Sequence, residues 1–358
     1  QKKPIKRRLS QGCAWSQTLV MPEGQFFSHC FYAYSLINII ALSDSNQEKK
    51  PELVNELESL IMTIESLKSQ FPWNECQKIN PPGGVISLGH ANYVKAGYAI
   101  TGGDDKKIID LFHAQSKELN DAFNSSSNGF LESFPGHWWP VDNYAAMESL
   151  RLHDKLYGTE YLKSTERGMA RLKSNLDKKS GLMVAQFDRE GNTLDVPRGC
   201  ALAMSLAFRP GSIDSFSKKQ YSKYQTLMYK PVFNMTGVRE WLPGQTSDFK
   251  VGPVVSDIGA AASGLGIAAA RANLDYLNWP KLNRGLEAIS FPCHNLNGEK
   301  HYFAQNFLLG DILALWGKTI CVWDQPGPYR TFTTRNKGSA EPFPAPPWTV
   351  LSLGILLS

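Results

Sequence analysis

The chain predicts an all-α fold, a single (α/α)6 barrel or toroid built from repeated helix hairpins, and three observations predict it. Apolar residues recur with helical periodicity along most of the 358 residues, whereas strict apolar–polar alternation is rare. Segments that are apolar nearly all round alternate with amphipathic ones, as buried helices alternate with surface helices. The apolar segments start near Phe27, Ser87, Val141, Gly199, Ile258 and Phe303, a spacing of roughly 45 to 60 residues that marks a helix-pair repeat.

The pairs follow in order. "FFSHCFYAYSLINIIALSD" is apolar, and "KPELVNELESLIMTIESLKSQF" after it places Leu53, Leu57, Leu60, Ile61, Ile64 and Leu67 on one side. "VISLGHANYVKAGYAIT" precedes "KKIIDLFHAQSKELNDAF", and "VDNYAAMESLRLHDKLYG" precedes "TEYLKSTERGMARLKSNL". "PRGCALAMSLAF" and "SIDSFSKKQYSKYQTLMY" form the fourth pair, "SDIGAAASGLGIAAARAN" and "LNWPKLNRGLEAIS" the fifth. "YFAQNFLLGDILALWGKTI" is the sixth apolar segment. Six inner helices surrounded by amphipathic outer ones describe a closed barrel; an open solenoid is the structural alternative.

The expected organisation is a basic tail over 1–12, the barrel over 13–335 and a Pro-rich, apolar tail over 336–358. Net charge is +5, yet five cations fall in "KKPIKRR", and a block of like charge reads most simply as a solvated tail. No zinc-finger spacing, RNP-like motif or long basic face suggests a nucleic-acid partner. The C-terminal "WTVLSLGILLS" is too short to span a bilayer, so no transmembrane segment is expected. Six scattered cysteines without a C-x-x-C pair read as buried thiols and leave the compartment open.

Turns from inner to outer helix are short, whereas the entries to inner helices are longer and chemically richer. An up-down ring gathers those entries on one rim, where helix N-termini stabilise negative charge. The stretch "FPGHWWPVDN" lies there. Asp142, His90 and Asp257 are the expected catalytic groups: two carboxylates from different helices to divide acid and base duties, and a histidine to move protons. His137, Trp138, Trp139, Asn143, Tyr93, Arg198, Tyr302 and His29 are the expected substrate contacts, the tryptophans forming an apolar wall or a stacking face. Alone, Asp142 and Asp257 could each be a helix N-cap, and His90 a core histidine. With no H-x-x-x-H, H-E-x-x-H, P-loop or strand-led G-x-G-x-x-G, neither metal nor cofactor is expected.

"SHCFYAYSLINIIAL", "GHANYVKAGYAITGGD", "VDNYAAMESLRLHDKLYGTEY" and "VSDIGAAASGLGIAAARANLD" together resemble the linalool dehydratase/isomerase family in order and spacing. The resemblance implies an (α/α)6 barrel that forms homo-oligomers and performs cofactor-free acid/base chemistry on a small terpene alcohol. It places His90, Asp142, Asn143 and Asp257 in the pocket; the cysteines that flank the family's "DNY" element are absent from "HWWPVDNYAAME". A hydro-lyase or isomerase acting on a small hydroxylated substrate, terpenoid if the resemblance extends to the substrate, is therefore the first expectation. A glycoside hydrolase with Asp142 and Asp257 as paired carboxylates and a tryptophan platform is the alternative, by fold analogy. A non-catalytic small-molecule scaffold is the third.

Overall fold

A computed structural model describes residues 2–19, 21–43, 50–70, 72–246, 253–290, 292–294, 298–302 and 307–325. The Pro-rich, apolar segment at 336–358 lies outside the described residues. Residues up to Asp324 form one compact unit.

Six apolar helices make the inner ring: α2 (Gly24–Leu42), α4 (Gly84–Ile100), α6 (Pro140–Tyr157), α8 (Gly199–Phe208), α10 (Ala260–Ala272) and α12 (Leu308–Thr319). Each packs on the next, and α12 packs back on α2, so the ring closes. The architecture is an (α/α)6 barrel. Around it lie α3 (Lys50–Leu67), α5 (Lys106–Ser125), α7 (Glu166–Ser174), α9 (Ser215–Met228) and α11 (Trp279–Ile289). On α3 the residues read as its apolar face are the buried ones.

The sixth outer helix is α1 (Lys2–Ser10), against α12. The basic run is thus not a solvated tail. Ile5 is buried, Lys2 and Lys6 reach Glu56 on α3, and Arg8 pairs with Asp311 of α12 at 2.6 Å. Lys2, Lys6, Arg7 and Arg8 each face an acid, so the local charge block costs little repulsion.

Small residues let the layers approach. A side chain at Gly266 of α10 would sit 2.7 Å from Val238 and 3.3 Å from the Tyr224 hydroxyl, where no Cβ fits.

Among the described residues, four short antiparallel hairpins decorate the loops: β1–β2 (Gln186–Phe187, Thr193–Asp195), β3–β4 (Tyr229–Val232, Met235–Val238), β5–β6 (Val254–Val255, Ile258–Gly259) and β7–β8 (Cys293–His294, Lys300–His301). Strands of two to four residues are too short for alternation to register. Among the described residues, no helix is long and apolar enough to cross a membrane.

Candidate active site at the barrel mouth

The entry to α6 starts with a loop that locks onto α4. Val85 N donates to Glu132 O at 2.8 Å, and Asn143 clamps Leu131 by both main-chain groups, donating to its carbonyl and accepting from its amide. Trp138 exchanges main-chain bonds with Phe187 of β1, and Trp139 packs between Phe134 and His137. Pro140 then opens the helix with its φ preset and no amide hydrogen to satisfy. Asp142 consequently lies in the first turn, not at the N-cap, which is Trp139 without a side-chain cap.

Its side chain is buried. Asp142 Oδ1 is 3.3 Å from His90 Nε2, and Oδ2 has no hydrogen-bond partner. The His90 ring, fully buried, is enclosed by Phe27, Phe31 and Phe208, and its Nδ1 is 3.0 Å from the Tyr34 hydroxyl. Aromatic residues from α2, α4, α8 and α12 thus fill the barrel below His90. Tyr93, expected as a pocket wall, belongs to that filling: it stacks on Trp323 at 4.4 Å and packs on Tyr34 and Phe208.

Glu23 completes the corner, and the sequence reading passed over it. It sits at the N-cap of α2, half-buried. Burial pushes its carboxyl up, its own backbone bond opposes this, and the nearby Asp142 charge pushes it further. The signal was in "MPEGQFF", an acid at an inner-helix entry like the others.

The remaining expected residues divide. His29 is buried on α2, its Nδ1 2.8 Å from Gln25 O, and burial lowers its basicity. His137 is half-buried and accepts from Gln186 at Nδ1. Arg198 is buried between Asp195 and Glu240, at 3.4 and 3.2 Å. Tyr302 points its hydroxyl at Glu287 of α11, 2.6 Å away, and also meets Lys318, so it serves the wall between layers. Asn143 is occupied as the Leu131 clamp.

Asp257 does not join Asp142. It lies in the β5–β6 turn with φ of 68°, its side chain 56% exposed, paired with Arg239 at 2.7 Å and Lys230 at 3.4 Å. Nor does Asp257 or Ser256 cap α10; the N-cap is Gly259, without a side-chain bond.

Elsewhere, a cleft of about 490 Å³ opens on the opposite rim, with Asp154, Arg209 and Asp214 in its lining. Those charges are committed: Arg209 to Asp214, and Asp154 to Thr159 and the amides of Tyr161 and Leu162. No group of three or more potential metal ligands is present among the described residues.

No family model matches the chain, and no curated protein matches it by sequence. Solved structures share its fold. A family 105 glycoside hydrolase of C. acetobutylicum is 13% identical with a TM-score of 0.51, over 81% of this chain and 92% of that one. A family 76 α-mannanase of Bacteroides thetaiotaomicron is 11% identical with a TM-score of 0.53, over 87% of both chains. A family 76 mannosidase of the same organism is 9% identical with a TM-score of 0.50, over 82% and 86%. The expected likeness to the linalool dehydratase/isomerase family is thereby corrected: the chain shares its fold with these family 76 and 105 glycoside hydrolases. The quoted motifs carry helix-pair packing, common to such barrels, and the hydro-lyase or isomerase expectation gains no support.

Proposed function

We propose that the chain is a glycoside hydrolase acting on a saccharide at the inner-helix N-terminal rim, with Asp142 and Glu23 as its carboxyl pair. The observation that carries this is Asp142 Oδ2, a buried carboxyl oxygen without a hydrogen bond, within charge reach of Glu23, whose own carboxyl burial pushes up. Glycosidic cleavage needs a proton for the leaving oxygen and a carboxylate on the other side of the anomeric carbon. Glu23 is the proton donor, and Asp142 is the carboxylate, oriented by His90. The N-termini of α2 and α6 favour the charge that the pair carries. Trp139 and His137, half-buried at the entry to α6, offer a face for a sugar ring. The likeness in fold to family 76 and 105 hydrolases supports the class of reaction, by analogy, and recommends α-mannosides as the first substrates to try.

The test is reducing-sugar release from α-manno-oligosaccharides and a wider oligosaccharide panel, with wild type, Asp142→Asn and Glu23→Gln side by side. The anomer first formed, read by proton NMR, assigns Asp142 as base (inversion) or nucleophile (retention). Absence of release from every substrate, or full activity in Asp142→Asn, overturns the proposal.

A further inference from the structure

Beneath Asp142, the Tyr34 hydroxyl has one proton and two acceptors within reach, both on His90. Nδ1 is 3.0 Å away and the main-chain carbonyl 3.1 Å. A phenol donates once, so the two contacts describe two arrangements. When the hydroxyl donates to Nδ1, the ring proton sits on Nε2 and points at Asp142 Oδ1, which suits a carboxylate. When it donates to the carbonyl, its oxygen accepts from an Nδ1 proton. Nε2 is then either bare, facing a protonated Asp142, or protonated, facing the carboxylate as imidazolium. Both forms hold one proton more than the first arrangement. The carbonyl has a second lone pair, so its helical bond survives.

Tyr34 and His90 are fully buried and Asp142 almost so, among aromatic rings where a stranded N–H is costly. Burial, with the neighbouring Cys30, Tyr93 and Asp142, keeps the phenol protonated. Glu23 also bears on the corner from the head of α2. From α8 and α12 the packing residues are Phe208 and Trp316, which do not titrate.

We propose that Tyr34 is a hydroxyl switch that lets the His90–Asp142 pair take up and release one proton inside the aromatic core. This rests on the inverting form of the glycosidase reading, in which the Asp142 carboxylate is the base that activates water. One O–H bond of the water breaks and its proton goes to the pair. The oxygen's electron pair goes to the anomeric carbon, the glycosidic bond breaks, and the leaving oxygen takes the proton of Glu23. Tyr34 meets no substrate; it acts through His90 and is a positioning residue.

The experiment is nitrogen-15 NMR of the His90 ring across pH, beside the pH profile of kcat/KM. Wild type at neutral pH is expected to carry its ring proton on Nε2, with Nδ1 accepting. In Tyr34→Phe the extra-proton form loses the acceptor for Nδ1–H. The acid limb and the His90 titration should therefore both move to lower pH by about 1–2 units. Phe31→Leu, a packing change beside the same ring, should lower the melting temperature and move neither. An Nδ1–H tautomer in neutral wild type overturns the proposal, as does a Tyr34→Phe variant whose limb and nitrogen signals stay in place. Should Tyr34→Phe not fold, the wild-type tautomer and its change on acidification decide. The NMR titration needs no turnover, so failure of the glycosidase reading is told apart from failure of the switch.

Discussion

Asp142 and Asp257 hold nearly the same place in the sequence repeat, at the heads of the third and fifth inner helices, yet their environments are opposite. At the third helix the chain is pinned from both sides. Val85 N donates to Glu132 O, Asn143 clamps Leu131, and Trp138 pairs with β1. Pro140 then starts the helix two residues before Asp142, which turns the carboxylate inward against His90. At the fifth helix the last residues before α10 pair as β5–β6, and Asp257 falls in the tight turn between them. There it is held in the open by Arg239 and Lys230. A shift of a few residues relative to the helix start separates a buried reactive group from a surface ion pair.

The largest expected effect sets these two corners apart directly. Asp142→Asn should lower kcat/KM for a glycoside by about 10³-fold, whereas Asp257→Asn should leave it within about twofold of wild type. Equal losses would return Asp257 to the mechanism. Gly84→Ala probes the pinning of the α4–α6 corner. Gly84 has φ of 74°, and an added Cβ would lie 2.2 Å from Ser133 O. A loss of about 3 kcal/mol in chemical denaturation is expected, and a neutral result would mean the loop is not held there.

Glu23→Gln should cost about 10²-fold in kcat/KM and remove the alkaline limb of its pH profile. The sign follows from the raised folded-state carboxyl. Below the ordinary glutamate range Glu23 is protonated in folded and unfolded chains alike, and both its stability contribution and its acid role are intact. Both are lost as pH rises through the raised value. Thermal melts of Glu23→Gln should therefore fall less steeply than wild type on that side, and parallel curves would remove Glu23 from the corner. The smallest effect belongs to the exposed pair: Asp257→Asn should change stability by no more than about 0.5 kcal/mol, measured in the same denaturant series.

Composition and periodicity determined the barrel, because burying an apolar helix needs neighbours on all sides, and the repeat supplies them at a fixed period. Leu53, Leu57 and Leu60 on α3 and the small residues of α10 declare their layers locally. Sequence also put "FPGHWWPVDN" at an inner-helix entry and named Asp142, His90 and Asp257 as candidates. Tertiary structure alone decided which rim residues converge. Glu23, one acid in an unremarked "PEG", enters the corner because α2 and α6 start on the same rim, 119 positions apart in numbering from Glu23 to Asp142. Asp257 leaves it because a two-residue hairpin is too short to show as periodicity. The basic run at Lys2–Arg8 likewise finds its place only through the tertiary structure, with Lys2 and Lys6 at Glu56 of α3 and Arg8 at Asp311 of α12. Helix formation is set by neighbours in sequence and is written there; which side chains meet depends on loop geometry and long-range packing, which the local pattern does not carry.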